Sequence, residues 1–262
     1  MDIVNNIVAG CLGASFIASA TPARPARQIK IILSGIIGGI FPDIDGLSLM
    51  TSADSWCRTL LGISGENLYF GHHALSHLGF FHSLMGLVVC TLGAGLLTSW
   101  IYFQPMRHAA SFVAAFRYLL VYIVAFGLGY VLHLAGDLAG PAGIWGGVRL
   151  FFPYEAYVGG WGHLWWWNNY DIFLILAFAC ILNLGFMLRY RAGSRLLARV
   201  SALTVCLALI LAVVQVVHRG EAFNEGSFSY REEYSRQVQQ QILGPGLYHW
   251  MEELDYRLPV LF

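Results

Sequence analysis

Apolar residues in this chain come in long unbroken runs, punctuated by short clusters of arginine, aspartate and histidine. A helix that crosses a bilayer needs about 20 apolar residues. Four runs meet or approach that length: Ser83–Tyr102, Tyr118–Gly136, Asp171–Leu188 after its first residue, and Val200–Val217, a little short. Two N-terminal runs are shorter, Ile7–Ala20 and Ile31–Phe41. The second is rich in glycine (Gly35, Gly38, Gly39) and stops at Pro42. Segments of that kind persist in membranes only when packed against other helices or lining a cavity. The pattern therefore predicts an all-α polytopic membrane protein, with about four full spans plus two shorter, partly buried N-terminal helices.

After Val217 the pattern changes. Residues 219–262 are polar with scattered aromatics and read as an extramembrane tail, helical at Tyr230–Leu243 and broken at Gly244-Pro245-Gly246. Residues 1–218 form the helical membrane domain. Ala18-Ser19-Ala20 resembles a signal-peptidase site, but Asp2 stands where a basic n-region belongs, so the first helix is expected to be retained.

Basic residues set the orientation. Arg24, Arg27 and Lys30 lie between the first two segments, Arg107 and Arg117 precede Tyr118–Gly136, and Arg189, Arg191, Arg195 and Arg199 join the last two spans. Alternate connections thus carry nine of the fifteen basic residues, the positive-inside pattern. Both termini are then expected on the extracytoplasmic side of an inner membrane. Asp43, Asp45, the histidine-rich loop at 72–82 and the far end of the helix carrying His133 fall on that side too, independently of the basic residues that set the topology.

Composition agrees: 57% of the 262 residues are hydrophobic and only 11% charged, against about 25% charged in soluble domains. Zero net charge argues against a nucleic-acid partner, which calls for a basic face. The five cysteines form no CxxC pair, and four of them sit in apolar runs as small hydrophobes. The sequence sets no oligomeric state.

Carboxylate and imidazole are expensive beside lipid, so their clustering at helix mouths points to a site. Hard oxygen with borderline nitrogen suits a divalent metal, zinc first. His133 and Asp137 are four apart and share a helix face; they are ligands to one ion, or a hydrogen-bonded pair tying helix ends together. Asp43 and Asp45 flank Ile44 where Pro42 ends a helix, as ligands or as a capping turn. His72, His73, His77 and His82 fall within eleven residues, and a turn at Gly79 would bring His77 and His82 inward. Trp161, Trp165, Trp166 and Trp167 fit interfacial anchoring better than substrate stacking. No HExxH helix, GxSxG elbow or Walker loop is present.

MDIVNNIVAG at 1–10, GIFPDIDG at 39–46, SHLGFFHSL at 76–84, GYVLHLAGDLAGPAG at 129–143 and GVRLFFP at 147–153 together resemble the YdjM-type family of membrane-bound metal-dependent hydrolases. That family's pattern runs MDPxTHxxxG, LLPDIDH, HRGxTHSL, GYxxHxxxDxxTPxG and TRLLxPF, and the likeness spans about the first 190 residues in order. It implies metal ligation by Asp43, Asp45, His77, His82, His133 and Asp137, with Asp43, Asp45, His133 and Asp137 at the catalytic centre. The HxxxD helix is also distantly similar to that of zinc-dependent phospholipase C and the P1-type nucleases, which implies a phosphoester bond. The chain departs from the family pattern at Asn6 and Gly46, where the family has histidine, and at Leu78, where it has arginine.

The resulting expectation is a membrane-embedded hydrolase. One or more zinc ions would activate water against a lipid or lipid-linked phosphoester at the outer face. Arg149 would pair with phosphate oxygens or anchor the interface by snorkelling. The alternatives are an ion or proton transporter, with Asn183 and Gln215 as the deeper polar groups, and a catalytically degenerate membrane scaffold.

Overall fold

The computed structural model describes residues 3–71, 73–103, 112–143, 145–219 and 228–257. His72 and Arg107 lie outside the described residues. Among the described residues nine α-helices follow in order: α1 Ile3–Ala20, α2 Pro25–Ile40, α3 Thr51–Leu61, α4 Gly65–Phe70, α5 Leu84–Phe103, α6 Phe112–Ala139, α7 Tyr170–Arg189, α8 Arg195–His218 and α9 Phe228–Arg257. Two 3₁₀ segments, Phe41–Leu49 and Phe80–His82, interrupt them.

Among the described residues, five helical segments are long and apolar enough to cross a membrane: Ile3–Ala20, Pro25–Leu49, Tyr118–Ala139, Tyr170–Arg189 and Arg195–His218. The N-terminal pair is longer than its apolar runs suggest. α1 starts at Ile3, and α2 starts at Pro25, where proline's fixed φ suits a first turn. The 3₁₀ segment then carries α2 on to Leu49. The expected span Ser83–Tyr102 appears as α5, whose apolar stretch among described residues is Leu84–Leu97.

α1, α2 and α6 pack against one another at the centre, α7 and α8 lean on α1, and α5 covers α6. Lipid is as apolar as a leucine side chain, so close packing of small residues must bring such helices together. At Gly38 an added Cβ would sit 2.0 Å from the Phe126 carbonyl oxygen, and at Gly129 one would sit 2.0 Å from that of Gly35. The α2–α6 contact is therefore backbone against backbone, and no larger residue fits it.

The basic connections meet at one end. Arg27 donates to the Tyr118 carbonyl (3.0 Å) and lies over the Tyr118 ring, while Gly193 N–H reaches the Ser19 carbonyl (2.9 Å). The acidic and imidazole groups gather at the other. The tail forms α9, kinked at Gly244, where φ is 73°. It docks on α7 through Tyr248 and Met251 against Tyr170.

Candidate metal centre

The PDID stretch is wound as a 3₁₀ helix, with about three residues per turn. Residues two apart then point to different sides, so Asp43 and Asp45 part company. Asp43 Oδ1 lies 3.4 Å from His82 Nε2 and 3.5 Å from His133 Nε2. Asp45 instead places both carboxylate oxygens 3.2 Å from His77 Nδ1.

His77 and His82 converge through a tight turn. Leu78 is left-handed (φ 60°), Gly79 N–H donates to the Ser76 carbonyl, and a 3₁₀ turn carries the chain to His82. The two rings end edge to face, 4.7 Å apart. Tyr69 stacks on His77 at 4.4 Å and Trp145 packs edge-on at 5.1 Å. Burial, aided by the Asp45, Asp43 and Asp137 carboxylates, pushes the Tyr69 phenol above its ordinary range.

α6 supplies the remaining pair. His133 Nε2 stands 2.8 Å from Asp137 Oδ2, and His82 Nε2 is 3.6 Å from the same oxygen. Asp43 Oδ1, His82 Nε2, Asp137 Oδ2 and His133 Nε2 thus alternate as oxygen, nitrogen, oxygen, nitrogen, with neighbours at 3.4, 3.6, 2.8 and 3.5 Å. Four tetrahedral ligands at the usual 2.0–2.2 Å from zinc would be about 3.3–3.6 Å apart; three of the four distances match, and the His133–Asp137 pair at 2.8 Å is closer. The spacing fits a divalent ion. Two overlapping groups have metal-binding geometry, Asp43–His77–His82 and His82–His133–Asp137.

Tautomer chemistry strengthens the fit. The Gly39 carbonyl, 2.7 Å from His133 Nδ1, can only accept, so Nδ1 carries the proton. In a neutral imidazole Nε2 is then a lone pair. It faces the Asp43 and Asp137 carboxylate oxygens, 3.5 and 2.8 Å away. Lone pair against anion is repulsive unless a metal ion or a proton on the ring stands between them. A second partner that fixes the ring through its far nitrogen is usual for metal-bound histidine, and Gly39 gives His133 that support as Asp45 gives it to His77.

The other sequence candidates separate. Asn6 turns its amide nitrogen, not its oxygen, towards Asp43 Oδ2 (3.3 Å). His73 bonds the Asn67 carbonyl within its own turn. Arg149 directs its guanidinium to the Tyr154 and Pro153 carbonyls, at 3.2 and 3.3 Å, while its N–H holds the Leu78 carbonyl. Asn183 bonds Ser15, and Gln215 bonds Asp171, so both deeper polar groups are engaged between helices.

The sequence match covers more than the motifs do. A family model described as YdjM inner membrane protein matches residues 1–221. The chain belongs to the YdjM inner membrane protein family. No curated protein and no solved structure matches it. The family assignment fits the five span-length helices and marks this as a membrane protein. The matched region ends just past Arg219 and leaves α9 outside it.

Sequence reasoning missed a second buried polar cluster at the same end. Arg219 is paired with Asp171, donates to Asn169 Oδ1 (2.8 Å) and lies 4.2 Å over the Trp165 ring. Gln239 of α9 donates to Asp171 (3.0 Å) and accepts from its backbone N–H (3.1 Å). Trp165, expected as an interfacial anchor, is a buried wall of this cluster, whereas Trp161 is exposed. The available signal was a lone arginine directly after a span and a lone aspartate opening another.

Proposed function

We propose that the protein is a metal-dependent hydrolase that acts on a phosphoester of a lipid or lipid-linked substrate at the outer membrane face. The observation that carries this reading is the alternating ring of Asp43, His82, Asp137 and His133. Buried carboxylates and imidazoles are costly unless paired or ligated. A divalent ion, zinc by its donor set, would supply water acidified towards a pKa of about 7 and polarise a phosphoryl oxygen.

The chain's own residues bind and orient. The four ring atoms would hold the ion, and Gly39 and Asp45 fix the rings of His133 and His77. Tyr69 and Trp145 pack on the His77 ring and cover that side of it. Arg149, tied through its backbone N–H to Leu78 in the histidine loop, would become the cation for phosphate oxygens by exchanging its bonds to the Tyr154 and Pro153 carbonyls. The phosphoester assignment rests on the distant likeness of the HxxxD helix to zinc-dependent phospholipase C.

Zinc-loaded protein in detergent should release phosphate or a phosphorylated head group from a panel of phospholipids and lipid pyrophosphates, and His133→Ala with Asp137→Ala should not. A zinc-replete protein silent on every substrate would favour a second reading, a metal-binding scaffold without turnover. Asn6 supports that second reading, because a histidine in the family pattern is replaced by a group that donates to Asp43.

A further inference from the structure

Cys11 of α1 and Cys180 of α7 are 169 positions apart in sequence, yet their Sγ atoms lie 2.9 Å from each other. Non-bonded carbon atoms settle at about 3.5–4.0 Å, and sulfur is larger, so the two thiols are pressed together. An S–S bond is about 2.05 Å long. Closing the remaining gap takes roughly 15° at each χ1, inside the width of a rotamer well. The other cysteines lie elsewhere, Cys57 on α3, Cys90 on α5 and Cys206 on α8.

The pair is one rung of a seam between two parallel helices. Asn5 donates to the Asn169 carbonyl at the outer end (3.5 Å), and Asn183 donates to Ser15 Oγ (2.9 Å) one turn beyond the thiols. Ala9 and Ala179 are small enough to keep the helices close. The sulfurs are thus held in register from both sides, since a slip along the seam would break the flanking bonds. Cys11 sits near the middle of α1 and Cys180 near the middle of α7. At 1.5 Å per residue, each is about 12–15 Å from either helix end, the midplane of a hydrocarbon core about 30 Å thick. Leu12, Leu176 and Ala208 belong to the same apolar cluster. Cys180 is buried and Cys11 half-buried, so an oxidant must arrive through lipid and meet Cys11 first.

We propose that Cys11 and Cys180 form a disulfide, made by a lipid-soluble quinone, that locks α1 to α7. Both S–H bonds break and one S–S bond forms. The two electrons and two protons pass to the quinone oxygens, which leaves a quinol. α1 carries Asn6 against Asp43, and α7 opens with the Asp171 that pairs Arg219. The cross-link therefore fixes, from the middle of the membrane, two helices whose outer ends bear the polar clusters. It uses no residue of the metal centre.

The test uses full-length protein in phosphatidylethanolamine–phosphatidylglycerol vesicles, with a chelator present, treated with a fully substituted benzoquinone that carries a decyl tail. The mass should then be two hydrogen atoms below that of the fully reduced chain, and peptides carrying Cys11 and Cys180 should stay joined until a reductant is added after unfolding. The midpoint of thermal unfolding should rise by about 5 °C or more over the reduced protein. A variant with Cys57, Cys90 and Cys206 all changed to alanine should give the same joined peptides, whereas Cys11→Ser or Cys180→Ser should give none. The chelator excludes metal-catalysed air oxidation and separates the outcome from that of the metal reading. Both thiols still open to alkylation after quinone treatment and unfolding, or links that join two copies of the chain, would overturn the proposal.

Discussion

His133 Nε2 and Asp137 Oδ2 stand 2.8 Å apart on one face of α6, while the Gly39 carbonyl of α2 holds the proton on the far side of the ring. The contact joins two helices that touch backbone to backbone through Gly38 and Gly129. The chemistry of the site therefore depends on glycine packing one turn away.

Gly38→Leu should break that dependence. Its side chain meets the Phe126 backbone at a distance no rotamer can relieve. We expect a loss of several kcal/mol, the upper range for overpacking, with loss of metal binding. Thermal unfolding with metal analysis checks it; a stable protein with full metal content would contradict the packing account.

Asp45→Asn should leave the metal bound more weakly, not abolish it, because Asp45 touches His77 and stands outside the ring of four. Loss of an outer partner typically costs 10–100-fold in affinity. Competition with a zinc chelator measures this. An effect as large as that of Asp137→Ala would place Asp45 among the direct ligands.

Arg219→Met should destabilise the protein by about 3–5 kcal/mol, the effect of stranding a buried charge, because Asp171 would lose its cation. Adding Asp171→Leu should recover part of that loss. Unfolding midpoints of the single and double variants decide the matter, and additive losses would refute a coupled pair.

Metal affinity should fall as pH drops. Ligation requires neutral imidazole and ionised carboxylate, so protons compete with the ion. Apparent affinity should therefore decrease steadily as the pH is lowered. Affinity independent of pH would argue against histidine ligands.

Much of this site was legible in sequence, and the reasons differ by residue. His133 and Asp137 were readable because helical spacing fixes i and i+4 on one face. His77 and His82 were readable because Gly79 marks a turn between them, whereas nothing in the sequence announces the left-handed Leu78. The parting of Asp43 and Asp45 was hidden, because nothing in PDID announces a 3₁₀ helix over an α-helical turn. The Arg219–Asp171–Gln239 cluster was hidden for another reason: its members lie 48 and 68 positions apart, and only tertiary packing brings them together. The extra length of α1 and α2 escaped because their polar ends, Asn5, Asn6, Gln28 and Lys30, look like loop in a hydropathy pattern but are helical here.

Elemental analysis of detergent-purified protein, wild type beside His133→Ala with Asp137→Ala, tests the central claim most directly. We predict close to stoichiometric zinc in the wild type and loss of it in the double variant at unchanged fold. Wild-type protein that remains metal-free after incubation with zinc would contradict the account.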